Sequence, residues 1–272
     1  MPELPEVETT RRGIQPYVEG QSIDKMVVRH RGLRWPIPEQ LEDIVQGQTI
    51  RHVERRAKYL LLRCDSGTLI IHLGMSGRLR VLDNDADIGK HDHVDIYISN
   101  GHVVRFTDPR RFGAILWTEA DTDTHQLIAH LGPEPLSDDF NAEYLHSKAK
   151  GRTSNIKSFI MNGEIVVGVG NIYANEALFL AGIHPATAAG KISKAKTSKL
   201  VDAIKLVLEK ALLAGGTTLR DFRNSDGKPG YFAQELNVYG REHQPCLTCQ
   251  FPISCIRQAQ RATYFCKQCQ TR

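Results

Sequence analysis

Four cysteines near the C-terminus constrain the fold of this chain more than any other feature. They form two CxxC pairs, CLTC at 246–249 and CKQC at 266–269, with sixteen residues between them. Two such turns can place four thiolates around a tetrahedral Zn²⁺ in a closed, structural site, whereas disulfides are disfavoured in a reducing compartment. We therefore predict one structural Zn²⁺ bound by Cys246, Cys249, Cys266 and Cys269. Cys255 lies between the pairs without a CxxC partner and is left as a spare thiol.

Charge and hydropathy favour a soluble protein with a polyanionic partner. The net charge is +4, and residues 241–272 hold five basic side chains against one acidic, so this segment accounts for all of it. No apolar run approaches the roughly eighteen residues that cross a bilayer, and no basic segment followed by an apolar stretch opens the chain. We expect a cytoplasmic, monomeric protein.

Short β-branched and aromatic segments dominate the first half of the chain. They are MVVRH (26–30), YLLLRC (59–64), TLIIHL (68–73), RLRVL (78–82), HVDIYI (93–98), HVVRF (102–106) and AILWT (114–118). Turn signals separate them, including an Asn-Gly pair at 100–101 that suits a two-residue hairpin. The pattern predicts an antiparallel sandwich or barrel.

The second half is predicted to be helical. Helices are expected over 141–150, 154–162, 171–182 and 193–214, with a glycine-bearing turn that resembles a helix-turn-helix unit and Asn171 as an N-cap. The predicted organisation is a first domain over 1–130, a hinge at 131–140, a helical domain over 141–240 with a long polar loop at 217–236, and a zinc module over 241–272.

The opening residues, MPELPEVE, carry two interpretations. Removal of the initiator methionine would expose the secondary amine of Pro2, next to the carboxylate of Glu3 in the sequence. Because α-amino groups titrate near ~7.7–8, a useful fraction of this amine is uncharged at neutral pH and could attack an electrophilic carbon of a substrate. The local alternative is a helix of about fourteen residues with Pro5 in its first turn. Its buried side would carry Val7, Ile14 and Val18.

Taken together, the chain resembles bacterial formamidopyrimidine-DNA glycosylase, which excises oxidised guanine. The resemblance runs from MPELPEVE to QRATYFCKQCQ. The other matching segments are RRAKYLLL (55–62), HLGMSG (72–77), KHDHVD (90–95), TDPRRFGA (107–114), LGPEPLSDDF (131–140), VVGVGNIYANEAL (166–178), SDGKPGYFAQEL (225–236) and VYGR (238–241).

This resemblance implies an α+β fold: an N-terminal helix with an antiparallel β-sandwich, a helical domain with a helix-two-turn-helix unit, and a C-terminal zinc-finger β-hairpin. It implies excision of 8-oxoguanine and formamidopyrimidines from duplex DNA through an N-terminal proline Schiff base, followed by β,δ-elimination. By the same resemblance, Pro2 is the nucleophile, Glu3 the general acid/base and Glu6 its support. Lys58 contacts phosphate and assists elimination, and Arg261 grips phosphates and acts in the second elimination.

The resemblance also implies DNA contacts. Met75, Arg110 and Phe112 fill the space that the flipped nucleotide leaves, with Arg110 reading the opposite cytosine. Phosphate contacts are expected from His91, Arg152, Lys157 and Asn171. Arg220, near the damaged-base loop, is also expected to contact DNA. Two departures stand out: Arg220 occupies a position where many members have lysine, and Gln250 one where glycine is common.

Alternatives remain at this point. The endonuclease VIII type of glycosylase prefers oxidised pyrimidines, although ELPEVE, RRF and the SDGKPGYFAQE loop resemble the guanine-directed branch. A non-catalytic zinc protein that binds DNA would not need Pro2, Glu3 or Lys58. Without the resemblance, Lys58 could be an edge-strand lysine that protects a sheet edge, and Phe112 could be packed in a hydrophobic core.

Overall fold

The computed structural model describes residues 2–83, 86–215 and 236–271. The described residues divide into two compact units, one running through Ala129 and the other containing His130–Leu213 and the C-terminal residues from 236. In these ranges no helix is both long and apolar enough to cross a membrane. The four-part domain organisation given above stays a prediction.

The first unit begins with helix α1 (Leu4–Val18), which confirms the expected N-terminal helix. Pro5 lies in its first turn, where a missing N–H costs nothing, and the Glu6 carboxylate accepts the backbone N–H of Glu3 at 2.9 Å. The apolar stripe is buried, with Val7 1% exposed and Ile14 fully covered. Helix α1 packs against three strands of the sandwich described next.

Eight strands form two antiparallel sheets in this unit. The strands are β1 (Ile23–Val28), β2 (His52–Arg56), β3 (Tyr59–Arg63), β4 (Thr68–His72), β5 (Arg78–Asp83), β6 (Asp92–Ile98), β7 (His102–Thr107) and β8 (Ala114–Thr118). Their orders are β1-β6-β7-β5 and β2-β3-β4-β8. The inner faces enclose one apolar core that α1 also covers, so the predicted sandwich is confirmed.

Strand β2 and a short helix of the first unit were not predicted. Strand β2 has the sequence HVERR, in which only Val53 is apolar, because β2 lies at a sheet edge and buries one side chain. The short helix α2 (Leu41–Val45) packs against β1 and buries Leu41 and Val45. Neither segment has enough periodic apolar residues to be recognised by pattern alone.

The described part of the second unit contains four α-helices: α3 (Ala142–Ala149), α4 (Ile156–Ile160), α5 (Asn171–Leu180) and α6 (Lys194–Leu213). The predicted N-cap of α5 was wrong, because Gly170 is the cap and Asn171 is the first helical residue. Gly170 is extended, with φ −111° and ψ −161°, so helical geometry begins at Asn171. The amide of Asn171 is then available for a different contact.

A two-stranded hairpin, β9 (Ser254–Gln258) and β10 (Arg261–Phe265), completes the second unit. It joins the two CxxC turns, so the predicted cysteine-bearing hairpin is confirmed. Its tip is made by Ala259 and Gln260, both with positive φ, as a two-residue turn requires. The described chain therefore has the α+β architecture expected from the sequence.

Candidate functional site

The N-terminal pair lies at the start of α1. Pro2 and Glu3 are both buried, with Glu3 2% exposed. The Glu6 carboxylate, also 2% exposed, accepts the Glu3 backbone N–H and so fixes the peptide that carries the Glu3 side chain. In the same capping box the Glu3 side chain accepts the backbone N–H of Glu6, so the carboxylate that follows Pro2 in the sequence also caps α1.

Lys58 occupies a tight turn of the first unit. Ala57 and Lys58 connect β2 to β3, with Ala57 at φ 55° and its carbonyl held by Arg55 Nη1 at 2.8 Å. Lys58 is therefore a turn residue that follows the edge strand, and not one of its ladder residues. The turn keeps its position constant relative to the two paired strands.

His72 is a residue of this region that the sequence analysis did not single out. It pairs with Tyr59 across β3 and β4, and their ring centroids are 4.9 Å apart. Burial, with the nearby charges of Lys58 and Arg34, lowers the pKa of His72 to about 4, so the ring is neutral at neutral pH. Gly74 N–H donates to its Nδ1, which leaves the ring proton on Nε2. A lone histidine at the end of the apolar strand TLIIH was the available signal.

Two loops carry the residues expected to fill a vacated base position. Met75 lies in the turn after β4, and Arg110 and Phe112 lie between β7 and β8. At Gly74 (φ 64°) a Cβ would stand 2.4 Å from the Phe112 carbonyl carbon, so the two backbones touch. The structure thus brings the Met75 loop and the 108–113 loop together, and only glycine permits this approach.

Asp108 braces these loops and was also missed. It is fully buried, and its carboxylate accepts from Ser76 Oγ at 2.7 Å, Gly113 N at 2.8 Å and Arg110 N at 3.3 Å. One carboxylate therefore joins the Met75 loop to both sides of the Arg110 turn. An aspartate that accepts a backbone N–H two residues later is a common turn signal, here within TDPRRF.

The side chains on these loops face outward. Phe112 is 40% exposed, which does not fit the alternative of core packing, and Met75 is half-buried. Arg110 is exposed, and its Cζ lies 5.1 Å from the Phe112 ring centroid. An apolar wedge and a guanidinium thus stand side by side on a rigid base.

His91 borders a basic cleft of about 460 Å³ in the first unit. The cationic or imidazole side chains around it are Arg29, His30, Lys90, His91, His93 and Arg111. The carboxylate of Asp92 accepts Gly89 N and Thr107 Oγ1 and pairs with Arg105, so it is already engaged within the protein. Such a cleft is suited to an anionic group.

In the second unit, Arg152 is exposed and lies at a small surface pocket with Ser154 and Ser158. Lys157 differs, because it is 1% exposed and its Nζ donates to Thr263 Oγ1 at 2.7 Å and to the Ala262 carbonyl at 3.2 Å. This burial argues against the phosphate contact predicted for Lys157. The sequence could not show that the hairpin covers it.

Asn171 joins the same hairpin carbonyl. Its Nδ2 donates to Ala262 O at 3.1 Å, while its Oδ1 is buried without a hydrogen-bond partner among the described residues. Arg261, the residue before Ala262, is exposed at the start of β10. Arg220 lies outside the described residues.

The four cysteines of the CxxC pairs form one cluster. Their sulfur atoms lie within 4.8 Å of one another, with Cys249–Cys266 at 3.4 Å and Cys246–Cys269 at 3.9 Å. Four thiolates at ~2.3 Å from a tetrahedral metal stand ~3.8 Å apart, so the cluster fits such an ion. Although burial opposes it, N–H groups of Cys249 and Thr248 lower the pKa of Cys246 to about 7, whereas burial raises the pKa of Cys266 and Cys269. Gln250, the noted departure, has φ 63°, a conformation that favours glycine.

Comparison with known protein families gives two matches. The family model of the formamidopyrimidine-DNA glycosylase N-terminal domain matches residues 1–115. The model of the formamidopyrimidine-DNA glycosylase H2TH domain matches residues 131–223. The first match lies in the first compact unit, and the second includes the helices of the second unit.

Individual relatives agree with these matches. A formamidopyrimidine-DNA glycosylase of Photobacterium profundum is 58% identical over 270 residues, which is 99% of this chain and 100% of the relative. The crystal structure of the MutM (Fpg) protein of Thermus thermophilus superimposes with a TM-score of 0.89 at 35% identity, covering 99% of this chain and 98% of that one. Lactococcus lactis Fpg, in a complex with DNA containing an abasic site, gives a TM-score of 0.91 at 34% identity, covering 99% and 100%.

Proposed function

Because the chain belongs to the formamidopyrimidine-DNA glycosylase family, we propose that it excises 8-oxoguanine and formamidopyrimidines from duplex DNA and then cleaves the abasic site. The observation that carries the proposal is the start of α1, where a buried glutamate, Glu3, directly follows a buried Pro2 in the sequence. A binding module has no use for that pair. The Lactococcus lactis relative bound to abasic-site DNA supports the substrate class.

The first chemical step joins protein and sugar. The nitrogen of Pro2, unprotonated after removal of Met1, attacks C1′ of the damaged nucleotide, and the bond from C1′ to the base breaks. The base takes a proton as it leaves, and the nitrogen loses its own. Glu3 gives a proton to O4′, the C1′–O4′ bond opens, and the nitrogen lone pair forms a C=N bond. A secondary amine yields a cationic iminium that has no N–H proton to lose.

The iminium then acts as an electron sink for two eliminations. Loss of a C2′ proton breaks the C3′–O bond and releases the 3′ phosphate, and a second proton loss releases the 5′ phosphate. Water finally hydrolyses the C=N bond and restores Pro2. During these reaction steps Lys58 contacts phosphate and assists elimination. Arg261 grips the flanking phosphates and serves the second elimination, although a guanidinium scarcely deprotonates and its binding role carries more weight.

Recognition uses the braced loops of the first unit. Met75 and Phe112 supply apolar area that offsets the few kcal/mol that base flipping costs. Arg110 bonds the cytosine left opposite. Contacts to phosphates come from Arg152, Asn171 and His91, and the basic cleft beside His91 supports this assignment.

One Zn²⁺ on the cysteine cluster supplies folding energy to the hairpin and takes no part in the reaction. The 3.4 and 3.9 Å sulfur separations support tetrahedral binding. A reducing, cytoplasmic location is consistent with six free cysteines.

The decisive experiment uses Pro2→Gly on a duplex with 8-oxoguanine opposite cytosine. Under borohydride the parent protein with Met1 removed should be trapped as a covalent adduct. Pro2→Gly should bind DNA but lose most excision and strand cleavage, because a primary amine replaces the secondary one. Near-normal excision by a processed Pro2→Gly protein would rule out the nucleophile assignment.

The same assay separates the alternative functions. A duplex containing an oxidised pyrimidine tests the endonuclease VIII type, which should prefer that substrate. DNA binding by the parent without any trapped adduct would identify a non-catalytic binding protein.

A further inference from the structure

We propose that Lys157 is a positioning residue for Arg261, which it holds in place through the hairpin backbone and not through a DNA contact. This inference rests on the proposed function, in which Arg261 serves the second elimination. It concerns only the described residues of the second unit.

Hydrogen bonds connect Lys157 to the two peptide groups that follow Arg261. Lys157 Nζ donates to the Ala262 carbonyl at 3.2 Å and to Thr263 Oγ1 at 2.7 Å. Thr263 Oγ1 in turn donates to the Arg261 carbonyl at 3.4 Å. Asn171 Nδ2 adds a second donor to Ala262 O at 3.1 Å. The carbonyls of Arg261 and Ala262 are thus both held by polar groups that trace back to α4 and α5.

Arg261 needs such a restraint because of its place in the hairpin. It directly follows the turn residues Ala259 and Gln260, which hold positive φ angles of 45° and 61° without being glycine. Side chains two residues apart on a strand share a face, and Thr263 and Phe265, 0% and 3% exposed, bury that face. Arg261 is the exposed end of the same row. Its backbone direction is therefore set by the residues anchored next to it.

The choice of lysine at this position supports a positioning role. Burying an ammonium is costly unless it is well bonded, and an apolar residue would fill the space between α4 and the hairpin more cheaply. An ammonium offers directed donors to oxygens 105 and 106 residues away in sequence, which an apolar contact cannot. The two hydrogen bonds of Lys157 therefore fix which hairpin residues lie opposite α4, in addition to holding the hairpin close to the helix.

The test measures how cleavage of abasic-site DNA divides between β- and β,δ-elimination products. Lys157→Met removes both hydrogen bonds of the ammonium, and Thr263→Val removes the hydroxyl that links Lys157 to the Arg261 carbonyl. Arg261→Gln gives the product pattern expected when the arginine is lost. We expect Lys157→Met to lower the ratio of δ to β product by about tenfold or more, because it removes two charge-assisted hydrogen bonds, while borohydride trapping persists. Lys210→Met, an exposed lysine on α6, is the matched control and should leave the ratio unchanged.

Double variants distinguish positioning from a general loss of structure. Adding Lys157→Met to Arg261→Gln should change the ratio no further, and the Lys157→Met/Thr263→Val pair should not exceed the larger single effect by much. Zinc content, measured by elemental analysis, should stay at the parent value in every variant.

Several results would overturn the inference. A parent-like ratio in Lys157→Met or Thr263→Val would show that these bonds do not orient Arg261. An equal fall in trapping, β product and δ product would indicate a general structural role instead. If the parent protein itself forms no trapped adduct, the proposed function has failed. Limited trypsin digestion tests the restraint independently: if the hairpin is cut at the same rate in Lys157→Met as in the parent, Lys157 does not restrain it.

Discussion

The two compact units present their exposed site residues by different physical means. In the first unit, Arg110 and Phe112 stand on loops held by backbone contact at Gly74 and by one buried carboxylate, Asp108. In the second unit, Arg261 stands on a hairpin that buries little apolar surface and is tied to the helices by polar side chains such as Lys157.

The difference follows from the core that each loop can use. The loops of the first unit extend from a sandwich whose many buried aliphatic residues already fix the strand ends, so close packing is enough. The hairpin packs on a small cluster that includes Phe179, Val238, Ile253 and the cysteines themselves. A module with so small a core needs a metal and directed hydrogen bonds to keep one arrangement.

Metal removal should affect only the second unit. Chelation, or Cys266→Ser, is expected to abolish DNA binding, because structural zinc supplies on the order of 10 kcal/mol of folding free energy to such modules. Limited proteolysis should then cut the hairpin and leave the sandwich intact. Cys255→Ser, outside the cluster, is the control and should keep metal content and binding. DNA binding that survives complete metal loss, verified by elemental analysis, would contradict the comparison.

Gly74→Ala should be the most damaging small change in the first unit. The new Cβ would stand 2.4 Å from the Phe112 carbonyl carbon, and φ is 64°. Gly20→Ala is the matched control, since φ is 80° there but nothing lies within 4 Å. We expect a loss of about 1 kcal/mol of unfolding free energy for Gly20→Ala and about 3 kcal/mol for Gly74→Ala, measured by urea titration. Equal losses would show that the loops do not depend on close backbone contact.

Substitutions of Arg110 and Phe112 should distinguish recognition of the opposite base from filling of the space that the flipped nucleotide leaves. A well-placed contact between guanidinium and cytosine discriminates by ~1–3 kcal/mol, or roughly 5- to 150-fold. Arg110→Ala should therefore lower excision opposite cytosine far more than opposite adenine, whereas Phe112→Ala should weaken both alike. Excision would be measured on duplexes that differ only in that base. An unchanged ratio in Arg110→Ala would place the base reader elsewhere.

His72 should make the first unit slightly sensitive to acid. Its pKa is about 4 in the folded chain and 6.5 in a model peptide, so the unfolded state binds the proton first as the pH falls. This contribution to stability is complete above about pH 6.5 and is lost progressively toward pH 4. Between pH 6.5 and 5.5 the loss should be about 1 kcal/mol. In His72→Gln the free energy of unfolding should depend less steeply on pH over this range. The same slope in both proteins would contradict the lowered pKa assigned to His72.

Local patterns in the sequence were enough to predict most of the fold. Helix α1, seven of the sandwich strands, the helices α3 to α6 and the cysteine cluster all follow from periodicity, turn residues and spacing, which act over a few residues. Strand β2 escaped because an edge strand with one buried residue carries almost no periodic signal. Pro2 was singled out by the secondary amine that removal of Met1 would expose, whereas Met75, Arg110 and Phe112 were singled out by the family resemblance. The roles of all four residues stay predictions.

Contacts between distant segments decided the rest. Asp108 and Gly74 owe their importance to a loop some thirty residues away, and no local pattern reveals that one carboxylate joins both loops. Lys157 has the sequence context of a surface lysine, yet the hairpin covers it from more than a hundred residues further along the chain. The local sequence determined which elements form. Only the tertiary structure decided whether a charged side chain faces solvent or holds the fold together, because burial and hydrogen-bond partners depend on what packs against it.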